Sequence, residues 1–440
     1  MMQIETIVCY RICRQFMHHV VRRRIQHVRL GSSLKIAMNF MYHRRYSSKV
    51  TGIVLGIETS CDDTGCAIVD SNGKILGEAL NSQQQIHLNH GGIIPPIARD
   101  LHKQHIEHVV HDALRIASIE LSDVDAIATT VKPGLPLSLV VGMNYGKHLS
   151  RTSGKPLIPV HHMEAHALTI RMVQKVDFPF LVLLISGGHC LLAVVQAVDK
   201  FLLLGQSLDD APGEAFDKAA RRLKLRNLPE FRTLSGGRAI ELAASKSTDP
   251  QAFEFPMVMA QYRDCNFSMA GIKNCVRRHI LQQEKLHGVE GDELIPDVFN
   301  LCAGIQMAVT RHLCQRLQRG MEFVTLQNLL PRDNKTLVLS GGVACNTFIK
   351  RAMGLVCQHM GYSLAVPPPH LCTDNGIMIA WNGIERLCAD IGITHDLDSV
   401  DIDSKCPLGE DWTDKVAKAS IKCKWIKLTP LLKEHSTSQE

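Results

Sequence analysis

Gly52-Ile-Val-Leu-Gly-Ile-Glu-Thr-Ser60, followed by Cys61-Asp-Asp-Thr-Gly65 and Cys66-Ala-Ile-Val69, decides the fold. An apolar run, a polar turn and a second apolar run read as strand, turn, strand. Asn72-Gly73 marks the next turn, before a strand at 74–78. Further out, 101–116 has helical periodicity and 126–131 is a strand leading into Pro133-Gly134-Leu135. Residues 138–150 form a helix and 156–160 a short strand. The order then returns. Residues 180–185 and 190–195 make a hairpin around Ser186-Gly187-Gly188, 209–223 is a helix, 225–233 a polar connector, and 240–245 and 296–319 are helices. The buried run 336–339 stops at Ser340-Gly341-Gly342, and helices follow at 346–359 and 375–388, before a polar, weakly patterned tail. Strand-rich starts followed by helices, twice over, predict two related α/β lobes with a cleft between them.

The repeated element is a strand ending in a small-residue turn, at 59–65, 186–188 and 340–342. Glycine lets backbone N–H groups approach an anion without interference from a β-carbon. A lone Ser-Gly-Gly is a tight turn after a core strand; three strand-end turns in one chain point to nucleotide binding. There is no G-x4-G-K-[ST] and no G-x-G-x-x-G, so P-loop and Rossmann chemistry are unsupported.

His162 and His166 stand four apart in Val160-His-His-Met-Glu-Ala-His166. With 22 histidines in 440 residues, that spacing alone is common. On a helix it places both imidazoles on one face, as two ligands of one ion require. Asp374, in Cys372-Thr-Asp-Asn-Gly376, is a candidate third ligand. The zinc-protease arrangement H-E-x-x-H needs Glu directly after the first His; here Glu164 comes second and turns off the His face. The ladder His102, His105, His108, His111 drifts around a helix at its spacing of three and reads as a solvated face.

Residues 1–50 hold ten Lys or Arg against the single acid Glu5, leaving 39 basic and 42 acidic residues in the remainder. An Arg-rich, acid-poor leader with interleaved apolar residues has the composition of a mitochondrial transit peptide, removed at about residue 45; the competing reading is a basic arm for nucleic acid. No apolar run reaches the length of a membrane helix. The 15 cysteines are scattered without a C-x2-C pair, so neither a zinc ribbon nor a disulfide scaffold is suggested and a reducing compartment is the simpler reading.

Eight stretches resemble the universal tRNA threonylcarbamoyladenosine transferase family, specifically its mitochondrial branch. They are Leu55–Gly65, Pro133–Leu135, His161–His166, Leu184–His189, Asp209–Lys218, Phe267–Lys273, Ser340–Asn346 and Cys372–Gly376, in family order across roughly residues 53–390. The resemblance implies the actin-like, sugar-kinase-like two-lobed α/β fold with a nucleotide cleft. It divides the chain into a leader at 1–50, a first lobe at 51–159, a second lobe at 160–373, a returning helix at 374–405 and a polar tail at 406–440. It also implies transfer of threonylcarbamoyl from its adenylate, made by a separate synthase, to N6 of adenosine 37 in tRNAs reading codons that begin with A.

By the same resemblance His162, His166 and Asp374 correspond to ligands of one divalent metal, with iron, zinc and manganese equally suited to such a set. Leu184, Ile185, Ser186, Gly187, Gly188, Asp217, Gly237 and Asn346 correspond to contacts with the adenylate. The mitochondrial branch implies a matrix homodimer without membrane insertion. A carboxylate near the attacking amine would take its proton, and Asp63, then Asp62, is the candidate; turn capping is the competing role for both. The chain departs from the family pattern at Asp63, often Glu; at Lys132, often a small residue; at Cys345, often Ala; and over 222–234, which is longer than the bacterial connector and makes the placement of Gly237 the least secure. A metal-dependent peptidase and a phosphotransferase of the same fold are the alternatives. Lys273, Arg277 and Arg278 form either a tRNA patch or a solvated helix face.

Overall fold

The computed structural model describes residues 52–431, so the Arg-rich leader and the last nine residues lie outside the described residues. Strands β1 (Ile53–Glu58), β2 (Asp63–Asp70), β3 (Ile75–Ser82), β4 (Ala126–Lys132) and β5 (Leu157–His161) form one sheet in the order β3-β2-β1-β4-β5. β6 (Phe180–Ile185), β7 (Cys190–Ala197), β8 (Lys200–Gln206), β9 (Thr336–Ser340) and β10 (Ser363–Ala365) form a second in the order β10-β9-β6-β7-β8, with β11 (Glu410–Asp411) added beside β8. Strand directions match as well. β1–β2 and β2–β3 are antiparallel, β1–β4 and β4–β5 parallel. β6–β7 and β7–β8 are antiparallel, β6–β9 and β9–β10 parallel. The duplication expected from the sequence is therefore one of topology, and the two-lobed α/β class stands.

The central strands explain themselves. Every residue of β6, Phe-Leu-Val-Leu-Leu-Ile, is buried, as suits a strand covered on both faces. The helices that position the site are α1 (Pro95–Ala117), α2 (Pro136–Ser153), α3 (His162–Leu168), α4 (Pro212–Arg222), α5 (Gly236–Ser245), α6 (Ala270–His287), α7 (Val298–Leu326), α8 (Thr347–Met360) and α9 (Gly376–Ala389). One face of the first sheet packs Leu55, Ile57 and Ile68 against Ile106 and Val110 of α1 and Val141 of α2. Its other face packs Val54, Ala67 and Ala128 against Ile377, Ala380 and Ile384 of α9. That contact is close enough that a β-carbon on Gly56 would overlap the backbone of Ala380.

Helix α3 lies at the seam of the lobes. Ala165 joins the core made by the first sheet and α9, whereas Met163, Ala167 and Leu168 join Phe180, Val182 and Leu184 of the second sheet. All seven of its residues are buried.

Several expectations are corrected. Helix α1 begins at Pro95, whose ring suits a first-turn position, and not at 101. The helix expected at 209–223 starts at Pro212, because Asp209 turns away to accept the amides of Met269 (2.7 Å) and Ala270 (3.2 Å). Residues 225–233 bury Leu225 and Phe231 and are not simply polar. The tail is not unpatterned: β11 pairs with β8, and Val400, Leu408, Val416 and Leu428 are buried. Strand β8 and helix α6 are additions to the sequence reading. The His ladder also splits. His102 is fully buried, with Nδ1 2.7 Å from Thr64 Oγ1 and Nε2 3.0 Å from the Cys61 carbonyl, while its three companions are not buried.

Candidate metal centre and paired glycine turns

His162 opens α3 and His166 lies one turn on, so their rings meet edge to face with centroids 4.6 Å apart. Asp374 comes from the turn just before α9. Its Oδ1 lies 3.0 Å from His166 Nε2 and 3.5 Å from His162 Nε2. Among the described residues these three form the group of His, Cys, Asp and Glu side chains that could hold a metal ion, with ligand atoms within 4.8 Å of one another. The fit can be tested from bond lengths. Donors about 2.1 Å from one ion stand about 3.0 to 3.4 Å apart for octahedral to tetrahedral angles, and both measured separations from Asp374 match that range within a tenth of an ångström or so.

Charge favours a cation here. Burial would raise the Asp374 carboxyl, but His162 and then His166 outweigh it and hold it well below the usual range. Burial would lower His162, but Asp374 and Glu58 reverse this and lift it to about 9. The negative field that retains a proton on His162 is the same field that attracts an ion, so proton and metal compete for its Nε2.

Glu58 has no role in the sequence reading, although an acid ending a buried apolar strand is itself a signal. It is fully buried, with Oε2 3.2 Å from His162 Nδ1. The Thr130 hydroxyl donates to the same oxygen (2.6 Å) and the Ser60 amide to Oε1 (2.5 Å). His189 stands nearby; its ring lies 6.2 Å from that of His162, and burial, then His162, lowers it to about 4.

The two Ser-Gly-Gly turns sit side by side, since Leu184 pairs with Ser340 across the parallel β6–β9 ladder. Leu184 and Ile185 are buried; Ser186 Oγ closes its turn by accepting the amides of Gly188 (3.3 Å) and His189 (3.1 Å). Gly187 and Gly188 face open space, whereas Gly341 has φ +97° and a β-carbon there would overlap the Ile185 carbonyl. The start of α4 docks on the first turn through the Gly213 amide, which donates to the Ser186 carbonyl (3.1 Å).

Asp217 and Asn346 have structural duties at this place. Asp217 accepts from the amides of Gly236 and Gly237 at the start of α5; desolvation by its surroundings raises its carboxyl despite them. Asn346 Oδ1 accepts from the Ile349 amide (3.0 Å) as the cap of α8. Asp63 starts β2 with Oδ1 buried and without a hydrogen-bond partner. Burial raises its carboxyl to about 7, helped by Asp62 and Asp374 and opposed by the Ser82 hydroxyl. Asp62 is raised too, chiefly by burial. An ion at the three donors would draw both down again.

Glu164, excluded above from the His face, pairs instead with Arg386 of α9 at 2.5 Å. Lys273 is held by Asp210, while Arg277 and Arg278 are exposed. No helix among the described residues is long and apolar enough to cross a membrane, and each described cysteine is free.

Two lobes of repeated topology, with a three-donor cluster at their seam and paired glycine turns beside it, define a two-lobed α/β protein with a candidate metal centre. The TsaD family, described as tRNA N6-adenosine threonylcarbamoyltransferase, matches residues 74–381, and the chain belongs to it. It is 51% identical over 377 residues to the mitochondrial tRNA N6-adenosine threonylcarbamoyltransferase of Rattus norvegicus, spanning 86% of this chain and 91% of that protein. The Homo sapiens protein of the same description is 50% identical over 376 residues, with the same coverage of each chain. Among solved structures, T. kodakarensis HypF aligns over 78% of this chain and 48% of its own at 14% identity and a TM-score of 0.46, which adds nothing to the assignment.

Proposed function

We propose that this chain transfers the threonylcarbamoyl group of threonylcarbamoyl-adenylate to N6 of adenosine 37 in mitochondrial tRNAs that read codons beginning with A. The observation that carries the reading is the meeting of His162, His166 and Asp374 beside the turns at 186–188 and 340–342. A divalent ion held by those three residues would supply Lewis acidity toward substrate oxygens. The remainder falls to the chain. The amides around Gly187, Gly188, Gly341 and Gly342 would receive the phosphate, and the start of α4 would fix the first turn beneath it. Asp217, Gly237 and Asn346 would line the nucleotide side, Asp217 while holding the Gly236 and Gly237 amides and Asn346 while capping α8. The donor is a mixed anhydride and already activated, so positioning of the exocyclic amine supplies much of the rate. Asp63, whose Oδ1 is buried without a partner, is the group to take the amine proton, with Asp62 as its neighbour.

The same reading places the chain in the mitochondrial matrix as a homodimer, dependent on a separate synthase for its donor. The mitochondrial naming of its relatives and the composition of residues 1–50 support the location. The test is direct. Purified protein is incubated with threonylcarbamoyl-adenylate and unmodified tRNA, and the nucleosides are analysed by mass spectrometry. Formation of the modified adenosine supports the reading. Release of threonine without tRNA modification, or phosphoryl transfer from ATP, overturns it.

A further inference from the structure

Glu58 makes the two histidines unequal. It is a buried acid that accepts from the Ser60 amide at Oε1 and from the Thr130 hydroxyl at Oε2, the oxygen that also faces His162 Nδ1; Ser60 Oγ, which can accept as well, lies 3.1 Å from the same ring nitrogen. A carboxylate, which accepts at both oxygens and donates at neither, suits that set. Its own position is fixed from three directions. It ends β1, Thr130 belongs to the adjacent β4, and the Ser60 carbonyl accepts from the Leu135 amide at 2.8 Å. Pro133-Gly134-Leu135 thereby gains a structural reason, since a β-carbon on Gly134 would press on the Ser60 carbonyl at 2.6 Å. His166 has no such support: its Nδ1 is buried without a partner.

We infer that Glu58 is a positioning residue of the metal centre. It holds His162 in the tautomer with the proton on Nδ1, so that the Nε2 lone pair faces Asp374 and the ion. This rests on the reading of His162, His166 and Asp374 as metal ligands. Outer carboxylates of this kind set ring orientation and ligand basicity, and their loss typically weakens metal binding about 10- to 100-fold. Glu58→Gln is a demanding substitution because its amide nitrogen must face one of two sides. Toward Ser60 it opposes another donor. Toward His162 it donates to Nδ1 and moves the ring proton to Nε2, where it blocks ligation.

The experiment uses the full chain, freed of metal and titrated with Zn2+ in competition with a chromogenic chelator, with melting temperatures of the ion-free proteins recorded alongside. Glu58→Gln, Thr130→Val and His162→Ala are compared with the parent. Thr130→Val keeps shape, loosens Glu58 from one side, and serves where Glu58→Gln fails to fold. The expected result is about a 10- to 100-fold weaker Zn2+ affinity for Glu58→Gln and a severalfold loss for Thr130→Val, each with a changed absorption band when Co2+ replaces Zn2+. If Glu58→Gln and Thr130→Val lower only the melting temperature and bind Zn2+ within twofold of the parent, while His162→Ala loses it, Glu58 is a packing residue and the inference falls with the ligand assignment intact. If His162→Ala keeps full Zn2+ affinity, the ligand assignment itself fails.

Discussion

His166 and Asp374 stand 208 positions apart in the chain and meet at 3.0 Å, Nε2 to Oδ1. The aspartate sits immediately before α9, the helix that covers one face of the first sheet, so the three-donor site is complete only when that helix has docked. Four expected outcomes follow from this arrangement and the packing around it.

His166→Ala and Asp374→Asn should each strip the bound ion and reduce transfer by more than about 100-fold, since three protein ligands leave no spare. Far-ultraviolet circular dichroism should stay near that of the parent. Metal content by plasma mass spectrometry after gel filtration checks this; full occupancy in both variants would show that the ligands lie elsewhere.

The two glycine turns should respond differently to alanine. Gly341 combines positive φ with a steric overlap on Ile185, so Gly341→Ala should lose about 1–3 kcal/mol of stability. Gly187 has open space around it, and Gly187→Ala should melt close to the parent. If the first turn holds the donor phosphate, Gly187→Ala will still weaken adenylate binding and leave tRNA binding alone. Unchanged affinity for both substrates would make that turn merely structural.

Glu164 and Arg386 form a buried pair between α3 and α9, with the Arg386 Nε also donating to Asn382 Oδ1 at 2.9 Å. Removing one charge leaves the other buried and unpaired, at a cost of about 3–5 kcal/mol. Arg386→Met should therefore destabilise more than the double variant with Glu164→Gln. Urea unfolding of the single and double variants measures the difference, and strictly additive losses would contradict it.

His312 sets a pH dependence. Its Nε2 accepts from the Ser268 amide at 3.1 Å, and burial, then Arg316, lowers it from 6.5 to about 3. The neutral ring's contribution is complete above the unfolded value of 6.5 and is lost progressively as pH falls from there toward 3. Each unit within that window costs about 1.4 kcal/mol. Between pH 6.5 and 5.5 the parent should lose about 1 kcal/mol more than His312→Gln in urea titrations; parallel losses would dismiss the assignment.

Much of the fold can be read from the sequence because its central strands are continuous apolar runs and its glycine turns stand at their ends. β8 escapes notice because Lys200–Gln206 follows β7 after a two-residue turn and merges with it. Helix α6 escapes because its core contact is confined to Ile272, Val276 and Ile280 on an otherwise polar surface. His102 is misread because four histidines at spacing three look alike in sequence; Thr64 and Cys61, 38 and 41 positions away, single out one. The ligand trio could be proposed from spacing and resemblance. Glu58 could not be given its place, since its partner lies 104 positions further on.

The return of α9 to the first sheet also governs what an incomplete chain can be. A ribosome makes β1 to β5 first, but the cover over Val54, Ala67 and Ala128 arrives only with residues 376–389, after β6 to β10 of the second sheet. Until then one face of the first sheet is an exposed apolar surface, the kind that drives association. A premature stop anywhere before residue 376 leaves that face bare for good. Such products meet aggregation or degradation, and no truncation within the second lobe yields a working first half.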